Sequence, residues 1–261
     1  MNEAFKEEQE EQYLKDLHTQ FERVHRQIKD ACKLAGRADE PILLAATKTV
    51  SAPHINYAIK HLGLSYIGEN KVQELLEKYP ELDKSAHIHF IGRLQRNKVK
   101  YIIDKVEMIH SVDSLPLALE IQKQAEKKDV HMDVLLQVNT GKEAQKGGFL
   151  PEELEGALST IGSLSRVHVR GLMAVAPICE KKSDYLHYFQ ETYQNFIDFS
   201  QKKLHNISMD ILSMGMSDSY VEAIACGSTM IRVGSALFGK RTYQITNNQE
   251  EKKEYTDEHL G

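Results

Sequence analysis

Apolar side chains at Leu14, Leu17, Phe21, Val24, Ile28, Ala31 and Leu34 recur in steps of three and four. That spacing predicts an amphipathic helix over residues 11–35, packed by one face and ended by Gly36. From residue 40 the period changes. Short apolar runs of strand length are expected at 42–47, 65–68, 87–92, 108–112, 130–139, 167–175, 208–213 and 230–233. Helical patterns fall between them at about 53–61, 70–78, 95–104, 113–127, 151–164, 184–204 and 217–226, with a short turn over 234–239. Pro53 and Pro116 sit in first helical turns, where proline costs no backbone bond. Asp113 or Ser114 is placed to cap the fourth of these helices. Strands alternating with helices pair in parallel. Eight such units over about 200 residues suit a closed (β/α)8 barrel of the TIM type. An open doubly wound sheet is the alternative, but no long break marks a switch point. Residues 1–240 therefore read as one barrel domain with an extra N-terminal helix. Residues 241–261 are polar, lack an apolar period, and are expected to be loosely attached.

Composition narrows the class without naming a function. With 41% hydrophobic and 27% charged residues, the chain has an ordinary globular balance. A net charge of -5 argues against general nucleic-acid or anionic-membrane binding. The acidic first residues make neither a signal nor a transit peptide, and no apolar run approaches membrane-spanning length. Cys32, Cys179 and Cys226 are odd in number and widely spaced, so they read as free thiols in a reducing cytoplasm. His87 and His89 flank Ile88 at alternate strand positions, a weak metal pattern; no HxxxH spacing occurs.

The chemistry gathers at strand tips. In such barrels the active site lies at the C-terminal ends of the strands, and a phosphate site is often built by the loops after strands seven and eight. Lys48 follows the first strand, against an apolar wall. Burial there would lower its pKa, as a Schiff-base lysine requires; the plainer reading is a lysine that caps the strand and faces water. After strand seven comes Ser213-Met-Gly-Met-Ser217, where Gly215 permits a tight path and Ser217 can cap the next helix or offer its hydroxyl to an anion. After strand eight comes Arg232-Val-Gly234-Ser235. Turn chemistry explains each loop alone. Together with Lys48, they point to a phosphate ester of a carbonyl compound. Arg232 either pairs with a barrel carboxylate or faces the ring nitrogen of a pyridine cofactor. Its permanent charge would then keep that nitrogen unprotonated and the ring a weak electron sink. Asn70 can bond a ring substituent or cap the helix it opens. His89 reads as a satisfied barrel histidine. A Schiff-base aldolase fits these features equally well.

Several motifs then coincide. They are Leu44-Ala-Ala-Thr-Lys-Thr49, Gly68-Glu-Asn-Lys-Val-Gln-Glu74, His89-Phe-Ile-Gly-Arg-Leu-Gln-Arg-Asn-Lys98, Gln137-Val-Asn139 with Glu143 and Lys146, Arg170-Gly-Leu-Met173, Ser213-Met-Gly-Met-Ser217 and Ile231-Arg-Val-Gly-Ser-Ala-Leu-Phe-Gly239. In this order the chain resembles the pyridoxal phosphate homeostasis protein family (the YggS/PROSC type), related to the barrel of bacterial alanine racemase. The resemblance covers about residues 10–240. It implies pyridoxal 5'-phosphate held as a Schiff base on Lys48, with Arg232 facing the ring nitrogen and Asn70 near the ring. Ser217, Gly234 and Ser235 would hold the phosphate, with Ser213 and Met216 lining the pocket. The family resembles a set of cofactor carriers acting in vitamin B6 balance, with apo-enzymes that need the cofactor as possible recipients, so no catalytic residue is assigned. An amino-acid racemase is the alternative. Racemases carry an added C-terminal β-domain and a tyrosine from a partner subunit, and here about twenty polar residues follow the barrel, so the carrier and a monomer are expected. One departure stands out. The family commonly has an acidic residue where this chain has Ser219, with Asp218 beside it, which puts the cap of that helix in question.

Overall fold

The computed structural model describes residues 3–142, 147–202 and 205–239. Glu143, Lys146 and the 241–261 tail lie outside the described residues. The first helix, α1 (Glu3–Leu34), begins earlier than the apolar stripe predicts. Its acidic opening is rich in good helix formers and contains no breaker, so the helix extends through it. Leu17, Phe21, Val24, Ile28 and Ala31 are buried, as the spacing requires. Leu34 breaks the expectation, being 88% exposed. The chain leaves the helix there: Gly36 turns through a φ of 67°, and the Arg37 amide donates back to the Cys32 carbonyl at 2.9 Å.

Eight strands follow: β1 (Ile42–Ala46), β2 (Tyr66–Glu69), β3 (His87–Phe90), β4 (Met108–Val112), β5 (Met132–Val138), β6 (Val167–Ala174), β7 (Ile207–Ser213) and β8 (Met230–Val233). They pair in sequence order, and β8 closes on β1. Every pairing is parallel. The helices are α2 (Ala52–Leu62), α3 (Val72–Lys78), α4 (Val99–Ile102), α5 (Leu115–Lys128), α6 (Leu154–Gly162), α7 (Asp184–Ser200), α8 (Tyr220–Ala225) and α9 (Ser235–Phe238). The helix predicted over 95–104 starts with a tighter turn, Arg96–Lys98, closed by a bond from the Lys98 amide to the Gln95 carbonyl. Ser51 caps α2 by accepting from the His54 amide, and Gly63 ends it at a φ of 70°.

The apolar side chains form two layers. Inside the barrel, Leu44, Met108, Leu135, Met173, Ile211 and Met230 pack together. The other layer lies between sheet and helices and includes Ile55, Ile67, Leu75, Ile109, Ile121, Leu158 and Ile231. Strands buried on both faces explain the nearly continuous apolar runs in the sequence. Helix α1 lies against α8 and α9, the helices that follow the last two strands. The Phe21 ring meets Phe238 edge-on at 6.0 Å, and the Tyr220 hydroxyl donates to Gln27 at 2.5 Å. Among the described residues, no helix is long and apolar enough to cross a membrane.

Candidate functional site

Strand β1 ends at Ala46, and Thr47 adds one further pairing bond to β2 through its amide and the Gly68 carbonyl. The chain then turns sharply. The Val50 amide donates to the Thr47 carbonyl at 3.0 Å, and Thr49 takes a φ of 67°. That is a tight turn whose third residue needs positive φ, a position usually given to glycine. A β-branched threonine there is strained by about 1–3 kcal/mol. Lys48 is the second residue of this turn, half-buried on the C-terminal rim.

The residues on either side of Lys48 are anchored. Thr47 Oγ1 donates to Glu69 Oε1 at 2.7 Å. The Thr49 amide donates to Glu74 Oε1. One ammonium joins both carboxylates: Lys78 Nζ donates to Glu69 Oε1 at 2.9 Å, to Glu74 Oε1 at 2.6 Å and to the Thr47 carbonyl at 2.8 Å. Burial raises the Glu69 carboxyl above the usual range, against the pull of Lys78 and Thr47. Sequence reasoning quoted Glu69 and Glu74 within a motif but gave them no role. The Glu74–Lys78 spacing of four on α3 was the available signal.

Arg232 stands on β8 beside Leu44 of β1 and is 5% exposed. Its guanidinium donates to the Ser213 carbonyl at 2.8 Å, Ser213 Oγ at 2.7 Å and the Ala174 carbonyl at 2.9 Å. No carboxylate pairs with it among the described residues, so the ion-pair reading fails. Burial lowers its pKa to about 10, which leaves it charged at neutral pH. Ser213 is fully buried beneath it. Ser213 Oγ, which accepts from Arg232, is also hydrogen-bonded to His110 Nδ1 at 3.2 Å. His110 Nε2 is in turn hydrogen-bonded to His89 Nδ1 at 2.9 Å. Both imidazoles are neutral in this chain. Burial holds His89 down to about 4 and His110 well below its ordinary value. His89 is thus a hydrogen-bonded barrel histidine, as read from the sequence; His110 was missed. His87 faces Glu107 at 2.9 Å and stacks on the Tyr66 ring, which also meets His89 edge-on at 5.6 Å.

The two loops expected to hold a phosphate meet at the rim. Gly215 adopts a φ of 91°, and a Cβ there would sit 2.5 Å from the Ala223 side chain. The turn carries Ser217 across to the β8 loop. Ser217 Oγ accepts from the Gly234 amide at 3.1 Å and the Ala236 amide at 3.3 Å. Ser217 therefore does not cap the helix that follows it. That position belongs to Ser219, whose hydroxyl accepts from the Met216 amide at 3.2 Å. The residue that departs from the family pattern is the one at the cap. Gly234 runs close to β1; a Cβ there would sit 3.2 Å from the Ala46 carbonyl oxygen. Ser235 and Met216 are exposed at the outer edge. A cavity of about 290 Å³ opens there, lined in part by Ser217, Ser235, Arg23 and Lys182. A larger hollow of about 540 Å³ lies between α1 and α2 and contains none of the sequence-predicted residues.

Asn70 follows β2. Lys71 takes the N-cap position of α3, so Asn70 is not the cap. Its Oδ1 is buried without a hydrogen-bond partner among the described residues, and so is Thr140 Oγ1 beyond β5. Gly92 packs on the Asn70 main chain so closely that a Cβ would fall 2.0 Å from its carbonyl oxygen. The residues fit a phosphorylated aromatic aldehyde. A lysine occupies the rim, an unpaired cation lies at depth, two amides converge on one oxygen, and a buried amide oxygen awaits a donor.

Comparison with known proteins gives the family and the fold. The family model described as alanine racemase, N-terminal domain, matches residues 17–242. The pyridoxal phosphate homeostasis protein of Aquifex aeolicus is 44% identical over 85% of this chain and 96% of its own length. The chain belongs to the pyridoxal phosphate homeostasis protein family. Its Escherichia coli member is 36% identical over 88% of this chain and 99% of its own length. A solved member, PipY of Synechococcus elongatus with PLP bound, superposes with a TM-score of 0.74 at 29% identity, covering 85% of this chain and all of PipY. The family carries the (β/α)8 barrel expected here.

Proposed function

We propose that this chain binds pyridoxal 5'-phosphate as a Schiff base on Lys48 and serves intracellular homeostasis of that cofactor, without catalytic turnover. The observation that carries the reading is the buried Arg232 guanidinium, charged and free of any carboxylate among the described residues, on the strand next to Lys48. A permanent cation at the ring nitrogen excludes a proton from it, and the ring then stabilises little negative charge. Such a site favours holding over carbanion chemistry. Ser217, Gly234 and Ser235 would hold the phosphate, with the Gly234 and Ala236 amides now on Ser217 Oγ marking where an anionic oxygen sits. Asn70 Oδ1 would face a ring substituent. Met216 would border the entrance, and Ser213 would act through Arg232. When bound, the cofactor supplies an aldehyde that an amine can capture and later surrender, the property a carrier to apo-enzymes needs.

The family model for the racemase barrel supports a racemase as the competing reading. The barrel histidines do not help it: His89 and His110 are buried, bonded to each other and neutral. Two measurements test the proposal. Reduction with borohydride should fix the cofactor on Lys48, and Lys48→Ala should lose the adduct while keeping its melting temperature. The loaded protein, incubated with alanine in heavy water, should leave the α-hydrogen unexchanged. Lysine-dependent exchange at turnover rates would restore the racemase.

A further inference from the structure

We infer that Lys78 is a positioning residue. By joining Glu69 and Glu74 it clamps both neighbours of Lys48 and aims the Lys48 side chain into the site. The inference rests on Lys48 as the Schiff-base lysine and adds how that lysine is held.

The geometry is unusual in its symmetry about one residue. On one side of Lys48, the Thr47 hydroxyl is fixed by Glu69 and the Thr47 carbonyl by Lys78 itself. On the other side, the Thr49 amide is fixed by Glu74. Both carboxylates end on the same ammonium, through their Oε1 atoms. The Lys78 side chain is 12% exposed and that of Glu69 is fully buried, so water screens this triad little. Without the cation, two carboxylates would face each other in a dry site. They would separate, and each would release its hold on the turn. The turn has reason to move, because Thr49 is held in a left-handed conformation that threonine disfavours. The Glu74 carboxylate opposes that preference by accepting the Thr49 amide. A merely structural ion pair would pin α3 to the sheet and leave loading of the cofactor untouched. A clamp acts on loading, and a glycine at position 49, which adopts positive φ without strain, should replace much of what it does.

The test uses the full chain and pyridoxal 5'-phosphate. Stopped-flow absorbance gives the rate of adduct formation, borohydride reduction with peptide mapping gives its position, and thermal melting reports the fold. Glu74→Ala removes the hold on Thr49 while leaving Lys78 paired with Glu69, so it is the first variant. We expect loading at least tenfold slower, with the adduct still on Lys48. Glu74→Ala combined with Thr49→Gly should recover most of that loss. Lys78→Met should be slower again, and Lys78→Arg closer to the parent. Parental loading by Glu74→Ala would overturn the clamp, as would a loss that glycine fails to restore. An adduct mapped in the parent to another lysine would overturn the Lys48 reading itself, whatever the variants do.

Discussion

Acidification from pH 7 to pH 5 should weaken the cofactor-free protein through the histidines inside the barrel. In the unfolded chain an imidazole titrates near its ordinary value, and in the folded protein burial holds His89 down to about 4. The unfolded state therefore takes up the proton first. The stability linked to His89 is complete above its unfolded pKa, and it is lost as pH falls through the window down to about 4. Taking roughly 6.5 for the unfolded group and about 1.4 kcal/mol per pKa unit, the loss comes to about 3.5 kcal/mol in full and about 2 kcal/mol by pH 5. His110, fully buried and shifted in the same direction, adds to it. Glu69 works the other way. Its carboxyl is raised, so its share of stability is present at low pH and is lost as pH rises through its folded pKa. The Glu69 effect is common to parent and variant. His89→Asn keeps a hydrogen-bonding amide for His110 and removes the titrating ring. Urea unfolding, followed by circular dichroism and tyrosine fluorescence at pH 7 and pH 5, gives the comparison. The variant should start less stable at pH 7 but lose about 2 kcal/mol less than the parent between the two conditions. An equal loss in both proteins would show that His89 does not stay neutral in the fold, and the hydrogen-bond chain drawn from Arg232 to His89 would have to be redrawn.

Three further outcomes are expected. Ser217→Ala removes the hydroxyl that joins the two rim loops, so pyridoxal 5'-phosphate should bind about 10- to 150-fold more weakly while pyridoxal, which lacks the phosphate, binds as before; one lost hydrogen bond to an ionised group is worth roughly 1.5–3 kcal/mol. Gly92→Ala puts a methyl against the Asn70 carbonyl and should cost about 1–3 kcal/mol by urea unfolding, together with weaker cofactor binding, because Asn70 must move. Arg232→Lys keeps the charge but cannot span from Ser213 to Ala174, so the orphaned carbonyls should lower stability by about 1–3 kcal/mol, read from the urea midpoint.

Much of this architecture is written in the chain's periodicity. All eight strands lie where short apolar runs place them, since a strand buried on two faces shows itself without knowledge of its neighbours. Lys48, Arg232 and the two loops were also legible, because barrel topology assigns strand tips to one rim. What the sequence hid depends on contacts between distant segments. Ser217 reads as the cap of the next helix, yet the bend at Gly215 sends its hydroxyl to the amides of another loop. The Glu74–Lys78 pair shows its spacing, but Glu69 joins it from the end of β2 and Thr47 from the turn after β1. His110 meets His89 because of the register between β3 and β4, in which His89 aligns with Met108 two residues before His110. Leu34 continues the stripe in sequence and leaves it in space, because the helix outlasts the surface it covers.

Barrel closure has a consequence for how the protein is made. The first strand pairs with the last, so the turn that holds Lys48 follows the strand paired with that of Arg232, and Gly234 lies against Ala46. A ribosome-bound chain that has emerged only through its first half has the lysine and nothing to set against it. The site comes into being when the final strand docks, a late and long-range event in the folding of this topology. On the proposed reading, loading with cofactor requires a finished chain.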